Sequence, residues 1–189
     1  MSCDNLDQQF LETFIQKEGL NDIFRRNVTD YFNAYAHRLA QIAEASSRPI
    51  IVGLNGAQGS GKSTLSQYLS QMMPMQLGVD CHVLSIDDFY LSKAKRKRLA
   101  ASVHPLLGIR GVPGTHDVPR LLDALAGFID PGIQSVTVPI FDKLKDDRTK
   151  NVQRIQKSAR PTVILFEGWC VGVPAQHQLA LTVPASSFE

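Results

Sequence analysis

No stretch of about 18 consecutive apolar residues occurs in this 189-residue chain, so nothing in it is long enough to span a bilayer as a helix. The start, MSCDNLDQQF, lacks a basic segment followed by an apolar run, and no secretory signal is read there. Cysteine is scarce. Cys3, Cys81 and Cys170 are odd in number and share no metal-ligand spacing, which argues against a disulfide framework and for reduced thiols. His37, His82, His104 and His177 likewise form no pattern that would hold a metal. Neither sign of charge dominates, and a net charge of +2 gives no bulk attraction to nucleic acid or to membrane surfaces. Internal repeats and low-complexity linkers are absent. These absences predict a soluble, cytoplasmic protein. What remains is ordinary: 43% hydrophobic and 20% charged residues, at a length sufficient for one domain with a real core or a little more.

Periodicity organises the chain. Leu6, Phe10, Leu11, Phe14 and Ile15 fall at helical spacing over 6–18, and Gly19 ends the run. A second helix is expected over 27–45, stopping before Pro49. These helices are expected to form an N-terminal layer, residues 1–48, on a domain spanning 49–189. PIIVGL (49–54) reads as a buried strand of a parallel sheet, followed by a helix from Lys62 to Pro74. Further strands are expected at 81–86, 135–141 and 161–166. The helix DVPRLLDALAGFI carries Asp117 as its expected N-cap and Pro119 in its first turn. Strands alternating with helices predict an α/β domain with a parallel sheet.

The segment GLNGAQGSGKSTL spends four of thirteen positions on glycine. Glycine lets backbone approach a ligand closely and adopt φ > 0. Gly56, Gly61, Lys62 and Ser63 fit G-x-x-x-x-G-K-[ST], and they lie between a predicted strand and a predicted helix, as a P-loop must. Backbone N–H groups there form an anion nest at the positive end of the following helix. Gly56, Ala57, Gln58, Gly59, Ser60, Gly61, Lys62, Ser63 and Thr64 are therefore expected to hold ATP. Lys62 would reach the β- and γ-phosphates and the Ser63 hydroxyl would bind Mg²⁺. The blander reading is a glycine-rich turn without a ligand.

Two strands end on acids. SIDDFYL places Asp87 and Asp88 at a carboxyl end, where parallel sheets face their ligands. Either could accept a hydroxyl proton or hold Mg²⁺, or be a turn carboxylate. LFEGW ends on Glu167, a costly place for an unpaired charge, so a metal, a water or a structural Arg is expected beside it. KAKRKR (93–98) lacks interleaved aromatics and reads as a solvated helix face sooner than an anion or nucleic-acid contact. GIRGVPGTHD (108–117) offers Arg110, His116 and Asp117 on a loop that could clamp a ligand or form a surface turn.

In this order, GLNGAQGSGKSTL, SIDDFYL, RGVPGTHD, VPIFDKLKDDR and ILFEGW resemble the plant-type D-glycerate 3-kinases and their fungal and bacterial relatives. More distantly the arrangement is similar to pantothenate kinase, uridine kinase and phosphoribulokinase. The resemblance covers most of residues 49–174. It implies a P-loop kinase fold, a three-layer α/β/α arrangement with a mostly parallel sheet. It implies Asp87 as catalytic base beside Lys62, and Glu167 near the metal with Ser63. The segment Pro139, Asp142 and Arg148 would help form the acceptor site, and Arg110 and His116 would border it. The expected acceptor-binding set is thus Asp88, Tyr90, Arg110, His116, Asp142 and Arg148. Members of that family continue beyond the position matching Val173, with more sheet, an arginine-bearing lid and base-contacting residues. Here the sequence closes with GVPAQHQLALTVPASSFE, so the C-terminal part is expected to be missing. The reading is an ATP- and Mg²⁺-dependent kinase for a small-molecule acceptor, D-glycerate first, without nucleic-acid or membrane partners. Another polyol or sugar acid, a nucleotide-binding module without transfer, and a nucleic-acid binder using KAKRKR remain the alternatives.

Overall fold

A computed structural model describes residues 3–175 and 177, with the backbone alone for residues 3–7. Its centre is β5 (Thr162–Gly168), an unbroken apolar run up to Glu167. β5 lies between β1 (Ile50–Asn55) and β2 (Asp80–Ser85), parallel to both. Both faces of β5 are covered, and its side chains alternate between them. Val163 and Leu165 enter one core and Ile164 enters the other. This is why the strand reads as continuous hydrophobicity rather than as alternation.

The first core gathers α1 (Cys3–Glu18), α3 (Asn33–Glu44) and α4 (Lys62–Met72) against the sheet through Phe14, Leu39, Ala43, Leu69 and Met72. Phe10, Phe14 and Phe24 ring Tyr68 at centroid distances of 5.5–5.8 Å, and the Tyr68 hydroxyl donates to Asn33 Oδ1 at 3.0 Å. The second core sets α6 (Val118–Ile129) and a β-hairpin against the other face, through Leu121, Phe128, Val136, Val138 and Ile155. Among the described residues no helix is long and apolar enough to cross a membrane.

Four differences from the sequence-based expectations have physical causes. The strand at 135–141 does not join the parallel sheet. It is β3 (Ser135–Asp142), paired antiparallel with β4 (Asp147–Gln156), a strand the sequence does not announce. β4 buries only Ile155, so DRTKNVQRIQ carries no apolar alternation to read. The second N-terminal helix begins earlier, as α2 (Asp22–Asn27), because the Asn21 carboxamide oxygen accepts from the Ile23 and Phe24 amides; a π turn then leads into α3. The helix from Lys62 passes over Pro74 in a wider π turn, Met73–Leu77, and stops at Gly78. Asp117 sits at the N-cap position of α6 but makes no cap bond. Its Oδ2 accepts from Arg148 Nη1 at 3.0 Å, and that largely buried guanidinium takes the carboxylate that the helix end would have used. The stretch after His177, on which the expectation of a missing lid rests, lies outside the described residues, as does the side chain of Cys3.

Candidate active site

Parallel register brings three strand ends together. Leu54 of β1 and Ser85 of β2 both lie opposite Glu167, so the loop after β1, the turn after β2 and the end of β5 open at one edge of the sheet. A cavity of about 780 Å³ lies there. The loop between β1 and α4 turns through Gly59 and Gly61 at φ of 77° and 86°, which an L side chain would resist. A Cβ on Gly56 would stand 2.8 Å from Ser60 Oγ, a contact that rotation of that exposed hydroxyl can relieve. Lys62 begins α4, lines the cavity and donates from Nζ to the Ala57 carbonyl at 2.7 Å. Ser63, one residue on, donates from Oγ to Glu167 Oε1 at 3.2 Å. Glu167 is 7% exposed, so this hydroxyl faces a buried carboxylate. The glycine after it is explained by space, since a Cβ on Gly168 would fall 2.4 Å from Ile86 Cγ2 and 3.0 Å from Ile86 Cβ.

Ile86 opens a single 3₁₀ turn, Ile86–Phe89, that follows β2 and carries both aspartates. Ser85 Oγ accepts from the Asp87 amide at 3.3 Å. The Asp87 carboxylate faces the cavity and meets Lys143 Nζ at 2.8 Å. Burial, and then the adjoining charge of Asp87, which accepts its hydroxyl, push the Tyr90 phenol up to about 12. Asp88 turns the other way. Its Oδ1 accepts from the Phe141 amide at 3.1 Å and ties the turn to β3. Burial raises the Asp88 carboxyl above its ordinary range, with that amide pulling the opposite way.

Arg148, Asp142, His116 and Arg96 hold the hairpin and its surroundings rather than line the cavity, whereas Arg110 does both. Arg148 donates to Asp117 and, at 2.8 Å, to the Tyr90 carbonyl. Asp142 accepts from the Leu144 and Lys145 amides, which cap the β3–β4 turn and hold its carboxyl below the usual range. His116 stacks on Tyr90 at 4.3 Å, and burial keeps its imidazole below its ordinary pKa. Arg96, the one fully buried member of KAKRKR, pairs with Asp146 at 3.0 Å and stands over the Phe141 ring; its neighbours in the run are exposed. Arg110 lines the cavity and donates to the Lys143 carbonyl at 2.8 Å.

Of the expected residues, Ala57, Gln58, Gly59, Lys62, Ser63, Asp87, Tyr90, Arg110 and Glu167 share the cavity wall. Gly56, Ser60, Gly61 and Thr64 shape the loop or begin α4 without lining it, and Asp88, His116, Asp142 and Arg148 stand behind it. Lys143 and Trp169 line the cavity without having been expected. A lysine on a turn beside an aspartate carries no distinguishing pattern, and Trp169 follows the strand-end Glu-Gly only as one more apolar residue. Among the described residues no three His, Cys, Asp or Glu side chains converge as a metal cage. A second cavity, about 700 Å³, opens at the other end of the sheet, lined by Arg48, Lys157 and Arg160, of which the last two are engaged. Lys157 Nζ donates to the Gly127 and Asp130 carbonyls at the end of α6, and Arg160 faces Asp80 at 3.7 Å.

Residues 32–158 match the KAP family P-loop domain, a span running from the start of α3 past β4. The chain is 38% identical over 149 residues to the uncharacterized kinase mug58 of Schizosaccharomyces pombe, covering 74% of this chain and 53% of that protein. It is 30% identical over 133 residues to the chloroplastic D-glycerate 3-kinase of Arabidopsis thaliana, covering 66% of this chain and 29% of the relative. The solved D-glycerate 3-kinase of Cryptococcus neoformans superposes with a TM-score of 0.63 at 32% identity, covering 72% of this chain and 50% of that one. The chain thus spans about half the length, or less, of the relatives it matches. By its family match and these homologues, the chain belongs to the KAP family of P-loop domains and is related to kinases that include D-glycerate 3-kinase.

Proposed function

We propose that this chain carries the catalytic centre of an ATP-dependent kinase whose acceptor is D-glycerate. One observation carries the reading: Asp87, Lys62 and the Ser63–Glu167 pair open into one cavity at the carboxyl end of the sheet. The residues fit the groups that such chemistry needs. The left-handed glycines Gly59 and Gly61 leave a backbone cradle for phosphate oxygens. A hydroxyl beside a buried carboxylate suits Mg²⁺, which usually takes one or two protein oxygens and completes its shell with phosphates and water. When bound, Mg²⁺ supplies positive charge against the β- and γ-phosphate oxygens.

In this reading Lys62 leaves the Ala57 carbonyl and turns to the phosphates. Asp87 orients the acceptor hydroxyl and takes its proton. The hydroxyl oxygen forms the new bond to the γ-phosphorus as the bond to the bridging oxygen breaks, and ADP leaves. The transition state of such transfers is loose, so positioning and charge should contribute more than the base. The names of the relatives support D-glycerate, and so does Arg110, a cation on the cavity wall that suits an anionic acceptor. Residues 1–48 serve as a helical layer on the kinase domain 49–189. A cytoplasmic setting fits the free thiols of Cys81 and Cys170. Calorimetry with ATP, followed by a panel of hydroxy acids and neutral polyols as acceptors, tests the proposal. Transfer to D-glycerate ahead of the panel is the expected result. ATP binding without transfer to any acceptor would replace the kinase reading by a nucleotide-binding module.

A further inference from the structure

Lys143 lines the cavity without an expected role, and its surroundings separate a fixed base from a free tip. The backbone beneath it is held from several sides. Arg110 Nη1 donates to the Lys143 carbonyl at 2.8 Å, and buried Arg96 donates to the Asp146 carbonyl at 2.6 Å. Asp142 caps the same turn through the Leu144 and Lys145 amides. The Lys143 side chain, by contrast, is 63% exposed, and its ammonium lies 2.8 Å from Asp87 Oδ2. An exposed lysine–carboxylate pair holds little free energy, and a lysine stem is flexible, so a competing anion can take the ammonium at small cost. Asp87 must meanwhile accept a hydroxyl in order to act as a base.

We propose that Lys143 is an exchangeable counter-ion of Asp87: it pairs with Asp87 while the cavity lacks an acceptor, and moves to the acceptor's carboxylate when a hydroxy acid presents its hydroxyl to Asp87. Lys143 then selects acceptors by charge and couples that selection to release of the base. The inference rests on the kinase reading above and requires an acceptor that carries both a hydroxyl and a carboxylate. Lys145 is a built-in control. It sits on the same turn, is more exposed and pairs with Asp142 instead.

The test compares the full chain with Lys143→Met, Lys143→Arg and Lys145→Met, using D-glycerate, other hydroxy acids and glycerol as acceptors. Losing one charge-assisted contact predicts a KM for D-glycerate raised about tenfold to a hundredfold in Lys143→Met, with a smaller change in kcat. ATP hydrolysis without acceptor should rise in that variant, because Asp87 keeps only the Tyr90 hydroxyl and its Oδ2 becomes open to water. Lys143→Arg should recover part of the KM, and Lys145→Met should match the wild type. Equal effects of Lys143→Met and Lys145→Met, or a loss shared by D-glycerate and glycerol, would overturn the inference. Wild-type transfer to neutral polyols alone would overturn it while leaving a kinase. Transfer to a different hydroxy acid, with the same KM response in Lys143→Met, would overturn D-glycerate as the acceptor and leave the inference standing.

Discussion

Gly168→Ala asks whether the cavity depends on one missing methyl group. The added Cβ would lie 2.4 Å from Ile86 Cγ2, 3.0 Å from Ile86 Cβ and 3.1 Å from Val171 Cγ2. Gly168 is not among the residues with positive φ, so the substitution brings crowding without backbone strain. Reaching ordinary contact requires Ile86 to move by roughly 1 Å in a packed site, and such overpacking costs about 1–3 kcal/mol. For a chain of this size that lowers Tm by about 2–4 °C per kcal/mol. Ile86 shares its 3₁₀ turn with Asp87, so the displacement reaches the proposed base. A misplacement of about 1 Å can lower turnover roughly a hundredfold. Urea denaturation and acceptor phosphorylation should therefore both respond, while ATP affinity stays near the wild-type value. Trimming the obstacle isolates the cause. In an Ile86→Ala background, Gly168→Ala should cost less, a coupling that a double-mutant cycle reads directly. Unchanged stability and turnover in Gly168→Ala, or the same cost in both backgrounds, would refute the argument.

Other outcomes follow from the same contacts. Lys62→Ala should weaken ATP binding about tenfold to over a hundredfold, the loss of a charge-assisted contact, as read by calorimetry on the folded variant. Arg148→Leu should destabilise the chain by about 3 kcal/mol, because it strands Asp117 largely buried beside an unsatisfied Tyr90 carbonyl; urea unfolding measures it. Asp88→Asn should leave turnover close to wild type, since the carboxamide oxygen can still accept the Phe141 amide. It should also change the pH dependence of stability. Burial raises the folded pKa of Asp88, so the unfolded chain releases that proton first. The contribution of Asp88 is then fully present below the unfolded value of about 3.9 and is lost as pH rises through the folded pKa. Urea midpoints followed from acid to neutral pH should show that loss in the wild type and not in Asp88→Asn.

Much of this was legible in the residues because backbone constraint leaves a chemical trace. A loop that turns through Gly59 and Gly61 at positive φ has to be written in glycine there, and a strand covered on both faces has to be written in Val, Ile and Leu. Asp87 and Glu167 were readable as acids at strand ends. The hairpin was not. β4 rests one face on solvent and buries only Ile155, so its polar sequence resembles a loop. The roles of Asp88, Asp117, Asp142 and Arg148 were hidden for another reason. Each serves a tertiary partner remote in sequence or a local turn amide, and residue type alone does not say whether a carboxylate meets a ligand, an arginine or a backbone N–H. Arg96 shows the same limit, buried beneath Asp146 within a run whose other members are exposed.

In the proposed transfer, Asp87 faces an acceptor hydroxyl across the cavity from a phosphate-binding loop. Single-turnover transfer from ATP radiolabelled in the γ-position, to D-glycerate and to the wider panel, tests it most directly when wild type and Asp87→Asn are compared at matched ATP occupancy. The wild type should transfer the phosphoryl group, and Asp87→Asn should do so about 10²–10⁴-fold more slowly, the usual contribution of a general base, with ATP affinity nearly unchanged. Equal rates in the two proteins, or a variant that loses ATP binding along with transfer, would contradict it.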